Sequence, residues 1–257
     1  MNASSHDARP ELERLLIDDL LAIADTKLVL GNWYAVSVHN GKTLPDYAAL
    51  LAIGGASFGH ARALYQYLGN FGLGYSFLER GRLADDIRSM HLLDASPESW
   101  PDFISATFLA EQATWLLASG FLSHPDRALA GIVKRIGEES YFHLKYATGW
   151  AHVFATGDAR PFTDALVSRY QDALGWFGTI EDDELHQRGV RQSSLADLRE
   201  AFAAEVRKLL HVASPSLSLP EPSIALRQEA RPGLRQSPLP ARLFEIVRFR
   251  DPEAASE

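Results

Sequence analysis

An all-α fold is predicted for this chain from three observations. Apolar residues recur at three- and four-residue spacing over long segments, proline and glycine clusters punctuate those segments, and no alternating strand-type pattern occurs in the 257 residues. Hydrophobic residues at 46% and charged residues at 23% describe an ordinary globular protein, long enough to bury a large core. A net charge of −8 argues against nonspecific nucleic-acid binding, which needs a basic surface. With no cysteine, disulfides, thiolate metal sites and thiol nucleophiles are excluded. The acidic start MNASSHDARPELERLL lacks the apolar core of a secretory signal, and the apolar runs are too short and charge-interrupted to cross a membrane. A cytoplasmic location is the expectation.

Taken in order, residues 1–9 read as a disordered lead, residues 10–212 as a helical bundle, and residues 213–257 as a proline-rich extended tail with a short last helix. Pro10, with Glu11 and Glu13 behind it, suits a helix start, and that helix is predicted to run to about Val38 before the Asn40-Gly41 turn. Leu44-Pro45-Asp46 opens a second helix reaching Gly69 or Phe71. Its Gly54, Gly55 and Gly59 are poor helix formers, tolerated where a neighbour approaches closely. The connector 72–98 is predicted to hold a short helix around Ser76 to Arg88. Pro97 and Pro101 mark a third helix ending near Ser123-His124-Pro125, and a fourth runs from about Asp126 to Thr156. A fifth, from Arg160-Pro161 to about Gly178, carries Phe162, Tyr170, Trp176 and Phe177. A sixth lies between Ser194 and Val212 behind a capping box, Ser194 with Asp197. The last, Ala241 to Arg250, offers Leu243, Phe244, Ile246 and Val247 to a groove.

Polar residues interrupt four of the apolar stripes. Asp25 shares a face with Leu21 and Leu28, and His60 with Ile53, Ser57 and Leu64. Glu111 falls among Ile104, Phe108 and Trp115, and Glu139 and His143 among Ile132, Ile136, Ala147 and Trp150. Burying charge is costly unless it is paired or metal-bound. In a four-helix bundle the usual reason is a carboxylate-bridged di-iron centre, made from two lone Glu and two Glu-x-x-His pairs. Asp25, His60, Glu111, Glu139 and His143 supply three carboxylates and two imidazoles toward such a metal set. Ser57 stands where a bridging Glu is expected, three before His60, and Ser140 stands three before His143. The set is therefore degenerate, and the expectation is an unoccupied site with no cofactor. The competing structural reading is a polar pin, with acids and imidazoles hydrogen-bonded across the bundle. Lys27, Arg62 and Lys145, one or two residues beyond the stripe, could pair with the leftover carboxylates in place of iron. The acidic string Glu181 to Glu184 reads as a solvated turn. Asp25 precedes His60 by 35 residues and Glu111 precedes His143 by 32, the pattern of two helix pairs joined by a crossover, as in ferritin-like bundles. No phosphate loop or Ser-His-Asp order is present.

Three segments carry a resemblance: Asp25-Thr-Lys-Leu-Val-Leu-Gly-Asn-Trp33, Ile53-Gly-Gly-Ala-Ser-Phe-Gly-His-Ala-Arg62 and Glu139-Ser-Tyr-Phe-His-Leu-Lys-Tyr-Ala-Thr-Gly-Trp150. In these the chain resembles the PaaC family, ferritin-like structural subunits of bacterial phenylacetyl-CoA epoxidase, and the likeness extends over roughly residues 15–250. The chain departs from the family pattern near Gly233, where Arg235-Gln-Ser-Pro238 stands. The resemblance implies a ferritin-like four-helix bundle with additional C-terminal helices. It also implies a non-catalytic role beside a catalytic ferritin-like paralogue in a hetero-oligomeric monooxygenase, with acyl-CoA at the interface, no nucleic acid and no membrane. The aromatics of the fifth and sixth helices are the expected partner surface. The alternative is that the chain is itself a di-iron oxygenase or oxidase, binding two iron ions through the five residues above.

Overall fold

The computed structural model describes residues 4–178, 183–221 and 237–248, and among these all regular structure is helical. The helices are α1 Ser4–Ser37, α2 Leu44–Leu68, α3 Trp100–Ser119, α4 Arg127–Ala155, α5 Arg160–Gly175, α6 Glu184–Gln187, α7 Leu195–Ala213 and α8 Ala241–Arg248. Helical backbone begins at Ser4, inside the segment expected to be a disordered lead. Pro10 cannot donate a ladder hydrogen bond, yet the helix continues through it. At the start of α2, Thr43 Oγ1 accepts from the Asp46 amide at 3.4 Å while the Asp46 carboxylate accepts from the Thr43 amide at 2.9 Å. This reciprocal cap, with Pro45 in the first turn, fixes where α2 starts. The same device opens α7, where Ser194 Oγ accepts from the Asp197 amide at 3.1 Å.

Four helices form the central bundle: α1 packs on α2 and α3, and α4 packs on α2 and α3. Neighbours run antiparallel, as the pairing order shows. Tyr65 reaches Asp25 while Gly31 faces Phe58, and Glu111 meets His143 while Trp100 meets Trp150. Between α2 and α4, Asp46 accepts from Tyr146 and Trp150, His60 lies beside Glu139, and Tyr67 donates to Asp126, so polar contacts at three levels run down one seam. The helices joined by the crossover, α2 and α3, sit diagonally, as two antiparallel pairs linked by a long connection require. The arrangement is consistent with a ferritin-like bundle. α3 is also covered by α5 and α7, so nearly every residue from 102 to 114 is buried. A helix enclosed on all sides must satisfy its polar residues internally. Accordingly Ser105, Thr107 and Thr114 donate to the carbonyls of Pro101, Phe103 and Ala110.

Three expectations change. The connector does not form one helix over 76–88; it breaks into short turns at Phe77–Gly81, Ala84–Asp86 and His91–Leu93. Tertiary bonds override local propensity there, because Arg82 and the Arg88 amide are drawn onto Asp25. The aromatics of the fifth and sixth predicted helices are not a partner surface: Phe162, Tyr170, Trp176, Phe177 and Phe202 are all buried between α3, α5 and α7. In the acidic string, Glu181 and Asp182 lie outside the described residues, but Asp183 is buried rather than solvated. It pairs with Arg191, and its second oxygen accepts from the Leu195 amide at 2.6 Å. Residues 213–221 carry little regular structure beyond the end of α7, and most of the proline-rich stretch (222–236) lies outside the described residues. Leu239 donates its amide to Ala84 at 3.0 Å, and α8 packs on α1 with Leu243 and Val247 buried.

Candidate metal centre

One level of the bundle gathers Lys27 from α1, Ser57 and His60 from α2, Glu111 from α3, and Glu139, Ser140 and His143 from α4. The Glu111 carboxylate is shared. One oxygen takes the Lys27 ammonium in a close ion pair, and the other lies 3.1 Å from His143 Nδ1. Lys27 Nζ also lies 3.4 Å from Ser140 Oγ. Both members of the ion pair are sealed from solvent, at 0% and 1% side-chain exposure. Beside them the His60 ring lies 6.2 Å from the His143 ring and tilted 32° to it, and its Nε2 lies 2.8 Å from Glu139 Oε2 without hydrogen-bond alignment. Glu139 sits at the rim, partly exposed, where Arg135 donates to it from one turn back at 3.0 Å.

The electrostatics follow from this enclosure. Burial alone would raise the Glu111 pKa, but the Lys27 charge and the His143 contact outweigh it and hold the carboxyl well below the usual range. His60 is pushed down to about 3, first by burial and then by the Lys27 charge, against the pull of Glu111 and Glu139. Burial, reinforced by Glu111, pushes the neighbouring Tyr34 phenol up.

Asp25 does not join this level. It is fully buried in a separate network, where Arg82 donates from Nη1 at 2.8 Å and Nη2 at 2.5 Å, Tyr65 OH donates at 2.5 Å, and the Arg88 amide donates at 2.7 Å. Arg82 also donates to the Leu78 carbonyl at 2.9 Å, so Asp25 anchors the crossover onto α1. The reason lies in α1 itself. From Asp18 to Tyr34 every residue of α1 is buried, so the helix has no single inward face. Asp25 and Lys27 are two positions apart, which turns Asp25 toward α2 and the crossover and Lys27 toward α3 and α4. Of the other two cations singled out in the sequence, Arg62 donates to Glu79 at 2.8 Å and Lys145 sits over the Tyr141 ring. Arg82 and Tyr65 carried no local signal, because their partner is 57 and 40 residues away.

The donor set does not fit a pair of irons. Four positive charges would need several converging carboxylates. Here Glu111 is committed to an ammonium and an imidazole, Asp25 to a guanidinium, and the two serines are neutral. Among the described residues no three His, Asp or Glu side chains are grouped to hold a metal ion. A lysine ammonium has no lone pair to offer a metal, and it occupies the volume beside the one central carboxylate.

No curated protein matches the chain. The family model for phenylacetic acid catabolic proteins, PaaA/PaaC, matches residues 1–237, and the chain belongs to that family.

Proposed function

We propose that this chain is a non-catalytic structural subunit of a multicomponent di-iron aryl-CoA monooxygenase of phenylacetate catabolism, bracing a catalytic ferritin-like paralogue. The observation that carries the reading is the Lys27–Glu111 pair: a side chain of the protein supplies the counter-charge at the level where an oxygen-activating relative would hold metal. A bundle that binds iron needs its ligand helices held within tight tolerances, and a rigid companion supplies that support.

A second feature favours a partner. From Leu44 to Ala61 the outward side of α2 carries no charge; it presents Leu44, Tyr47, Leu51, Gly55 and Gly59 to solvent, with Leu51 61% exposed. Next to it α4 exposes Tyr141 and Phe142, the latter at 68%. Exposed apolar residues gathered this way mark interaction surfaces, and obligate interfaces bury on the order of 2,000 Å² or more. On this reading the paralogue docks against α2 and α4.

Affinity purification of the chain from its native host, with iron analysis of the chain expressed alone, tests the proposal. The expected result is a stable complex with a ferritin-like partner, little iron in the isolated chain, and loss of the partner in a Leu51→Glu/Phe142→Glu variant that still folds. Recovery of a lone monomer, or near two irons per chain with turnover by the isolated protein, would overturn it.

A further inference from the structure

The last turns of α7 face α5 across a cavity of about 630 Å³, within the roughly 300–1,000 Å³ of small-molecule sites. The chain makes this cavity by folding back on itself. After α7 a turn closes with the Leu217 amide donating to the Ser214 carbonyl at 3.2 Å, and Gln171 of α5 then holds the Glu221 carbonyl at 3.0 Å. Tyr170, Ala203, Leu210, Leu217 and Leu219 give the cavity a largely apolar wall. Tyr170 is only 1% exposed, and its ring is fixed by stacking 6.1 Å from Phe202. Its hydroxyl nonetheless makes no hydrogen bond among the described residues. Buried polar groups are bonded in about nine cases of ten, so a hydroxyl held in a cavity wall without a partner calls for one.

The charges around that hydroxyl indicate what the partner is. Arg207 lines the cavity, and Arg199 lies on the same face of α7, one turn before Ala203. Both charges act on the Tyr170 phenol, whose pKa burial pushes up. Among the described residues neither arginine forms an ion pair or donates a hydrogen bond. Arg199 is half-buried, and burial lowers its pKa with only Tyr170 to offset it. Acidic residues outnumber Lys and Arg by 33 to 25 in this chain, so carboxylates are not scarce, yet none is supplied here. Burying part of a cation without a counter-charge is costly. Lys208 already pairs with Glu205 at 2.6 Å, and Glu221 is the one acid in the lining. An inorganic anion would satisfy the arginines but leave the apolar wall wet, and a neutral apolar ligand would do the reverse. We infer that this cavity binds a small organic acid, its carboxylate taken by the Arg207 guanidinium and the Tyr170 hydroxyl and its apolar body lying on Ala203, Leu210 and Leu217. The guanidinium fork matches a carboxylate in shape as well as in charge. The site belongs to α5 and α7, apart from the Lys27–Glu111 level, and does not depend on the subunit role.

The test is calorimetric titration of the full chain with hexanoate and with hydrocinnamate, an aliphatic and an aryl acid, at ionic strength held constant with chloride. Hexanamide and inorganic phosphate are the comparison ligands. Saturable binding of at least one acid is expected, with both comparison ligands weaker on the order of tenfold or more. Arg207→Ala should weaken the acid on the order of tenfold, and Arg207→Lys should recover only part of the loss, because an ammonium lacks the fork. Tyr170→Phe keeps the stacked ring and should cost a few-fold, while Glu221→Gln should tighten binding by removing the opposing charge. Arg207 and Glu221 are exposed, so their variants should fold. Absence of saturable binding by either acid overturns the inference. So does hexanamide or phosphate binding as tightly as the acids, or an affinity that Arg207→Ala and Tyr170→Phe both leave unchanged.

Discussion

Lys27 shows how one side chain can settle the character of a whole site. A buried ion pair is weak evidence of net stabilisation, since desolving both charges is costly, but breaking one is expensive because the survivor is stranded. Lys27→Met leaves Glu111 sealed in the core with only His143 beside it. The expected loss is about 3–5 kcal/mol, measured by urea unfolding; adding Glu111→Gln should restore much of it, because the stranded charge is then gone. His60 gives a second expectation, in pH. Its folded pKa of about 3 lies below the ordinary 6.5, so between these values the unfolded chain binds a proton that the folded chain refuses. The contribution is fully present above pH 6.5 and is lost as pH falls toward 3. Its slope is at most roughly 1.4 kcal/mol per pH unit. Stability measured from pH 6.5 down to about 4.5 (above the carboxylate range) should fall less steeply in His60→Gln than in the parent. Lys27, Glu111, Glu139 and His143 all face this ring, and an unchanged slope would show that they let it protonate in place.

At the scale of the helix, boundaries were readable, and facing was readable only where a helix keeps a solvent side. Thr43-Leu44-Pro45-Asp46 and Ser194 with Asp197 carry their caps in local sequence, and both helices start there. The stripes of α2 and α4 were also legible: Ser57, His60 and His143 do point into the bundle, because each of these helices keeps a solvent side. In α1 the same rule failed, because burial on every side erases the contrast that defines a stripe. Asp25 was read as a central ligand when it is the crossover's anchor, whereas Lys27, noted only as a possible ion-pair partner, holds the middle. The crossover's own helix failed for a related reason, since long-range bonds to Asp25 outweigh local preference. Glycines divide in the same way. A Cβ on Gly31 would stand 2.4 Å from the Phe58 ring, whereas one on Gly131 would meet nothing within 4 Å. Gly31→Ala should therefore cost about 1–3 kcal/mol through overpacking between α1 and α2. Gly131→Ala should instead stabilise α4 by roughly 0.5–1 kcal/mol, checked by the shift in unfolding midpoint.

For the whole molecule, the outer helices are tied to the bundle by buried and half-buried guanidinium groups as well as by aromatic packing. Arg191, almost fully enclosed, donates to Asp19 of α1 at 2.5 Å and to the Ser193 carbonyl at 3.1 Å, and it pairs with Asp183. Arg169 of α5 clasps Asp102 at the start of α3 with bonds of 2.6 and 2.8 Å. Arg191→Met should strand two carboxylates, costing about 3–5 kcal/mol. Amide exchange should quicken across residues 183–213 while α2 and α4 keep their protection; equal loss everywhere would mean that the outer layer and the bundle open as one unit. Neither clasp was visible beforehand, as Asp19 and Arg191 are 172 residues apart.

The tethered ammonium has a consequence for biogenesis. A protein whose central charge balance arrives with its own polypeptide can mature before any inorganic component is delivered. Under the role proposed above, such a subunit would accumulate ready-folded during iron starvation. Chelators would leave its melting point untouched, and it would await a companion whose own completion waits on supply.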